Sequence, residues 1–145
     1  MKISTKGRYG LRTLMDIALH QEKGPVPLND ISARQDISAK YLWQVLNPLR
    51  AAGLLSVVRG ARGGYALAQL PEQITLLEVV SILEGPVSIV DCVATTDACE
   101  RAERCTCRSV WDEINATLVE ALRGVTLADI LERQRGASAA GDYVI

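Results

Sequence analysis

Residues 28–67 read LNDISARQDISAKYLWQVLNPLRAAGLLSVVRGARGGYAL, and the fold is decided there. Leu28 to Gln35 is a short helix with Leu28, Ile31 and Ser32 on one side, closed by a tight turn at Asp36-Ile37. Ser38 then stands where its hydroxyl can accept from the free backbone amides that open the next helix. That helix repeats Leu42, Val45, Leu46 and Leu49 along one buried face and stops at Gly53, a residue that tolerates the left-handed backbone of a helix end. Pro48 inside it has no amide hydrogen and should bend the last turn, or cost about 3 kcal/mol. Two short helices across a tight turn make a helix-turn-helix. Leu54 to Val58 and Tyr65 to Ala68 then read as strands around the basic tip Arg59-Gly60-Ala61-Arg62-Gly63-Gly64, forming a hairpin wing. A phosphate-cradling loop is set aside, because no Lys-Ser or Lys-Thr follows the glycines and no helix begins there.

Outward from this stretch, Thr5 to Gln21 carries Leu11, Leu14, Met15, Ala18 and Leu19 at helical spacing until Gly24-Pro25 ends it. Its His20, the only histidine, reads as a surface residue favoured by the negative end of the helix dipole. On the other side, Thr75 and Glu78 form a capping box for a helix over 76–84, stopped by Gly85-Pro86 and expected to pack under the wing. Residues 87–104 lack a sustained period and read as a loop. Val110, Trp111, Ile114, Leu118, Ala121 and Leu122 mark an amphipathic helix ending at Gly124, and Thr126 to Asp129 opens a short last one before a frayed tail. The expected division is a DNA-binding unit over 1–85, a cysteine-containing loop over 86–107, a long helix and short terminal helix over 108–135, and a flexible tail over 136–145. The apolar stripe of the long helix needs cover, either from its own domain or from the same helix of a second copy.

Composition agrees with a mainly α fold. Of 145 residues 48% are hydrophobic and 23% charged, Phe is absent, and only six residues are aromatic, so the core is built from Leu, Ile, Val and Ala. No apolar run reaches the roughly 18 to 20 residues that span a bilayer, and MKISTKGRYG lacks the apolar stretch of a signal peptide, so a cytoplasmic protein is expected. The net charge of −1 hides an asymmetry: residues 1–65 hold ten Lys and Arg against four Asp and Glu, the remainder six against thirteen. A basic half suits a polyanion partner.

Four cysteines, Cys92, Cys99, Cys105 and Cys107, are separated by six, five and one residues. Without a secretory signal a disulfide framework is not expected, which leaves metal ligation, thiol redox chemistry or plain buried thiols. The paired knuckles of structural zinc and the common ferredoxin spacings are both missing. Arg101, Arg104 and Arg108 put positive charge beside the thiols, which suits metal binding and oxidation equally. One histidine and no paired nucleophile and base argue against an enzyme. An electron-transfer protein would have no use for the basic wing.

The run MKISTKGRYGLRTLMDIAL, the pattern IS-x5-IS-x2-YL-x2-VL-x2-L-x3-GL, the wing VRGARGGYAL and the helix start ITLLEVV together resemble the Rrf-two family of bacterial transcription regulators over nearly the whole chain. Three cysteines before a helix that carries Trp111 resemble its IscR-like, cluster-binding branch. The resemblance implies a homodimer that reads a pseudo-palindromic duplex, with long helices crossing at the interface and a [2Fe-2S] cluster, favoured over [4Fe-4S], held by cysteines. It also implies a His ligand three residues before the helix tryptophan, where this chain has Arg108; Cys107 is then the substitute. The acid that completes a [4Fe-4S] site in another branch is replaced by Arg8, and the acidic residue that selects DNA motifs is replaced by Trp43. A different operator preference follows. DNA contacts are expected from Ser38, Lys40, Tyr41 and Gln44 at the front of the recognition helix, with Gln44 suited to adenine, and from Arg59 and Arg62 in the wing. Lys6, Arg8 and Arg50 are expected on phosphates. The alternative function is a thiol-based redox regulator without a cluster.

Overall fold

Ser4 opens the first helix: its hydroxyl accepts from the amides of Lys6 and Gly7 at 3.1 and 3.5 Å. In the computed structural model, which describes residues 1–141, the helix it opens is α1 (Thr5–His20). There follow α2 (Leu28–Gln35), α3 (Ala39–Ala51), β1 (Leu55–Val58), β2 (Gly64–Leu67), α4 (Leu76–Glu84), α5 (Asp91–Ala94), α6 (Thr106–Arg123) and α7 (Leu127–Gly141). The fold is mainly α, as expected. The turn after α2 places Asp36 in the left-handed region at φ 53°, and Gly53 ends α3 at φ 83°. Helix α3 carries on three residues beyond Pro48, to Ala51.

The two strands pair antiparallel with Leu55 opposite Leu67 and Val58 opposite Gly64, so the wing tip is Arg59 to Gly63. Val26 joins this hairpin: its amide and carbonyl both bond to Tyr65 at 2.8 Å. Gly64 lies so close to the Val26 backbone that a Cβ there would overlap it. The hairpin is thereby anchored to the segment that leads into α2.

One apolar core holds Leu14 and Ile17 of α1, Ile31 of α2, and Leu42, Val45, Leu46 and Leu49 of α3, all fully buried. Leu127 and Leu131 of α7 lie in the same core. The junction between α6 and α7 is stapled to the start of α4, because Leu76 N donates to Val125 O and Leu127 N to Ile74 O, each at 2.8 Å. The core therefore takes residues from both the first and the last quarter of the chain.

Four expectations need correction. Helix α4 packs on α1, α3 and α6 rather than under the wing. The reciprocal capping box is made at the start of α7, where the Thr126 amide and hydroxyl donate to Asp129 Oδ2 and the Asp129 amide donates to Thr126 Oγ1. At Thr75 the hydroxyl accepts from the Glu78 amide. The last helix is 15 residues long, not short, and takes in residues 136–141 of the expected flexible tail; residues 142–145 lie outside the described residues. Its extension has a local cause, since alanine, the strongest helix former, fills positions 137, 139 and 140. Finally, residues 87–104 are not one open loop but contain α5 and one-turn 3-10 helices at Thr96–Ala98 and Ala102–Arg104.

Candidate nucleic-acid interface and cysteine segment

The front of α3 is built by its cap. Ser38 Oγ accepts from the Tyr41 amide at 3.2 Å, so this hydroxyl is committed to starting the helix. With Leu42, Val45, Leu46 and Leu49 pointing into the core, helical spacing turns Lys40, Trp43 and Gln44 outward, and all three are exposed. Tyr41 is half-buried and meets Tyr9 edge-on, with ring centroids 5.5 Å apart. Its ring thus supports α3 from the α1 side. Arg50, in the last turn, is exposed.

What holds this helix in place is a network on α1. Asp16, 1% exposed, accepts from Arg34 Nη2 at 2.7 Å and Nε at 3.0 Å, and from Gln35 Nε2 at 2.8 Å. Arg12 Nε donates to Gln35 Oε1 at 3.2 Å, and Ser32 Oγ donates to the Ile37 carbonyl at 2.6 Å. The last turn of α2 and the turn into α3 are thereby clamped to α1. Burial pushes the Asp16 carboxyl up, but the hydrogen bonds from Arg34 and Gln35 and the positive charges of Arg34 and His20 outweigh it and hold the group below the ordinary carboxylate range. His20 sits at the end of α1 with Nδ1 2.7 Å from the Asp16 carbonyl.

Arg59 and Arg62 are exposed on the wing tip. Between wing and α3 runs an open groove of about 380 Å³ lined by Asn29, Trp43, Val57, Val58, Gly60 and Gly63. Trp43, Val57 and Val58, 49%, 39% and 49% exposed, give this groove an apolar floor. Wing and recognition helix thus share one face. Lys6 and Arg8 sit in the first turn of α1, where Arg8 Nη2 donates to Thr5 Oγ1 at 3.1 Å.

The four cysteines are free, with Cys92 and Cys105 half-buried and Cys99 and Cys107 exposed. Soft thiols in this number fit an iron-sulfur centre in kind. Among the described residues, however, no three His, Cys, Asp or Glu side chains are gathered where one metal ion would touch them all. Cys105 opens onto a crevice beside Glu100, Arg101, Glu103 and Arg104, while Cys99 lines a neighbouring one. Arg108 Nε donates to the Cys92 carbonyl at 2.8 Å, and Asn115 bonds to Ile89 N at 3.0 Å and Val87 O at 3.2 Å. The segment is therefore fastened along α6. On that helix Val110, Trp111 and Ile114 are 50%, 42% and 47% exposed, and none of its residues is buried.

Sequence reasoning missed two carboxylates. Asp16 sits between Leu14 and Ile17 on the apolar face of α1, a position that announces a buried partner, and Glu84 reaches the start of α1. Gly7 and Gly10, helical glycines one turn apart, were the available signal of a close approach there.

Over residues 3–133 the chain matches the family described as Rrf2, iron-dependent transcriptional regulator. It is 38% identical over 131 residues to the HTH-type transcriptional regulator IscR of Aliivibrio salmonicida, covering 90% of this chain and 77% of that one. The structure is similar to that of CymR, the global cysteine regulator of B. subtilis, with TM-score 0.75 and 38% identity over 92% of this chain and 98% of that one. It is equally similar to T. potens IscR, with TM-score 0.75 and 37% identity over 94% and 90%. These relatives are named for regulation, not for catalysis, and among the described residues no helix is long and apolar enough to cross a membrane. With the hairpin wing and helix-turn-helix in place, the chain belongs to the Rrf2 family of transcriptional regulators.

Proposed function

We propose that the chain is a homodimer that binds a pseudo-palindromic duplex and that an iron-sulfur cluster on its cysteine segment sets the affinity. The observation that carries the DNA reading is the shared exposed face of α3 and the arginine-tipped wing. Gln44 has the paired donor and acceptor that fit the adenine edge, Lys40 reaches guanine or phosphate, and Arg59 and Arg62 suit the narrow, electronegative minor groove. Trp43 and the wing valines put apolar surface between them, which favours contact with thymine methyl groups over hydrogen-bonded readout. Lys6, Arg8 and Arg50 complete the surface as cations on phosphates, while Ser38 and Tyr41 hold the front of α3 in position.

The cluster reading assigns Cys92, Cys99 and Cys105 as ligands, with Cys107 as the fourth and [2Fe-2S] as the type. When bound, the group supplies iron and sulfide that oxidants or small ligands can attack. The chain's own part is mechanical: Arg108 and Asn115 tie residues 87–92 to α6, whose exposed stripe of Val110, Trp111 and Ile114 suits the same helix of a second copy. A change of order in residues 92–107 then biases how two α6 helices pair and how far apart the recognition helices stand. A difference of about 1.4 kcal/mol between two dimer states changes DNA affinity tenfold.

The test is anaerobic purification with iron and sulfide assay. A brown protein with about two irons per chain supports the cluster. A thiol-based regulator is the second reading, favoured by two free cysteines open to solvent, and it expects a colourless protein whose DNA affinity responds to peroxide.

A further inference from the structure

The C-terminal end of α4 is docked unusually close to the first turn of α1. Glu84, the last residue of α4, accepts on one oxygen from the Ser4 amide at 3.0 Å, the Ser4 hydroxyl at 2.7 Å and the Gly7 amide at 3.0 Å. The approach depends on two missing side chains. A Cβ on Gly7 would overlap the Glu84 carboxylate, and a Cβ on Gly10 would overlap Leu83. The opening amides of α1, which a helix otherwise offers to solvent or to an anion, are thus taken by Ser4 and by a carboxylate from another element. Lys6 and Arg8 project from this same turn, so its orientation fixes where their charges sit.

On its other side Glu84 adjoins the cysteine segment. It is followed at once by Gly85 at φ 93°, then by Val87 and Ile89, whose backbones are held by Asn115, and then by Cys92, whose carbonyl is held by Arg108. Seven residues separate the carboxylate from the first thiol in sequence. Through that short connection the segment adjoins the residue that caps the turn carrying Lys6 and Arg8.

We infer that Glu84 is a positioning residue that joins the cysteine segment to the DNA grip of α1: it sets the turn carrying Lys6 and Arg8 on the duplex backbone, and it passes the state of the thiols to that turn. The inference rests on the proposed cysteine-controlled DNA binding. It predicts that losing the Glu84 contact lowers the salt dependence of DNA binding and uncouples that binding from the cysteines.

The experiment measures affinity of the full chain for a random-sequence duplex between 50 and 200 mM salt, with the cysteine segment as purified anaerobically, or stripped of metal and alkylated by iodoacetamide. In wild type, alkylation changes the affinity. In Glu84→Ala the slope of log affinity against log salt falls by about 3.6, the release expected for four phosphate contacts, two from each protomer of the dimer, at about 0.9 each, and the response to alkylation drops to within about twofold. Glu84→Gln, which keeps the accepting oxygen, restores both. Gly7→Ala, which displaces the carboxylate without deleting it, reproduces Glu84→Ala if that variant fails to fold. Lys6→Ala and Arg8→Ala lower the slope in wild type but not further in Glu84→Ala, a non-additivity that simple loss of stability does not produce. A wild-type slope or an intact alkylation response in both Glu84→Ala and Gly7→Ala overturns the inference. A wild-type chain that ignores the duplex, or binds it regardless of alkylation, instead overturns the proposed function on which it rests.

Discussion

Arg108 donates from Nε to the carbonyl of Cys92 at 2.8 Å, across sixteen residues of sequence. The guanidinium is thus an anchor between α6 and the start of the cysteine segment. It stands at the position where the family resemblance implies a histidine ligand, and a guanidinium has no lone pair to offer a metal. The ligand assignment can therefore be tested at two neighbouring positions. Cys107→Ala is expected to abolish or destabilise the visible absorption of the anaerobically reconstituted protein, and Cys107→Ala with Arg108→His to restore it. A Cys107→Ala protein with a full-strength, equally durable spectrum would remove that thiol from the ligand set.

Asp16 supplies a second prediction, about stability. Its folded-state carboxyl lies below the ordinary value because Arg34 and Gln35 bonds and nearby positive charge outweigh the effect of burial. A depressed group contributes stability that is complete above its unfolded-state value near 3.8 and is lost as pH falls through the lower folded-state value. Asp129 acts in the same direction: the Thr126 amide and hydroxyl bond to it, and Arg133 adds positive charge, together outweighing desolvation. Asp16→Asn should lose about 1.5 to 3 kcal/mol at neutral pH in urea unfolding, the usual worth of hydrogen bonds to a charged group, and the gap to wild type should narrow as the solution is acidified. A gap that is constant from pH 7 down to pH 2 would contradict this sign.

On the DNA side, Gln44→Ala should cost about 1 to 3 kcal/mol at one base position and leave random-sequence affinity nearly unchanged. Arg59→Ala with Arg62→Ala should instead weaken binding to all duplexes and reduce the salt slope. Selection of preferred sites from a random pool, followed by competition binding, distinguishes the two patterns.

The exposed stripe on α6 gives a prediction of assembly. Trp111→Glu with Ile114→Lys should convert a dimer to a monomer in sedimentation experiments while helical content holds, because neither residue is buried within its own chain. Affinity for a two-half-site duplex should fall with it. An unchanged mass would place the interface elsewhere.

The parts of the fold that were legible in the sequence share a long, clean period. In α3 the four core residues and the Ser38 cap specify thirteen residues of helix with little competition. The wing was readable because its glycines and arginines interrupt two apolar runs at hairpin spacing. Residues 136–141 were not, since Gly-Ala-Ser-Ala-Ala-Gly has no apolar period, and alanine propensity rather than burial carries that helix on. The short turns around Cys99 and Cys105 were illegible for the same reason, one turn being too brief to show any period. The Asp16 clamp and the Glu84 cap join positions far apart in sequence, the latter by as much as 80 residues, and only the fold brings their partners together.

The seating of Leu127 and Leu131 beside Leu14 and Ile17 also bears on how the chain is made. A ribosome delivers residues from the amino end, so α1 to α4 emerge long before the two leucines that close their shared core. Until α7 leaves the exit tunnel, the part that grips DNA has an open apolar side, and a transcript truncated after α6 would yield a chain prone to aggregation and proteolysis instead of a constitutively active DNA-binding fragment.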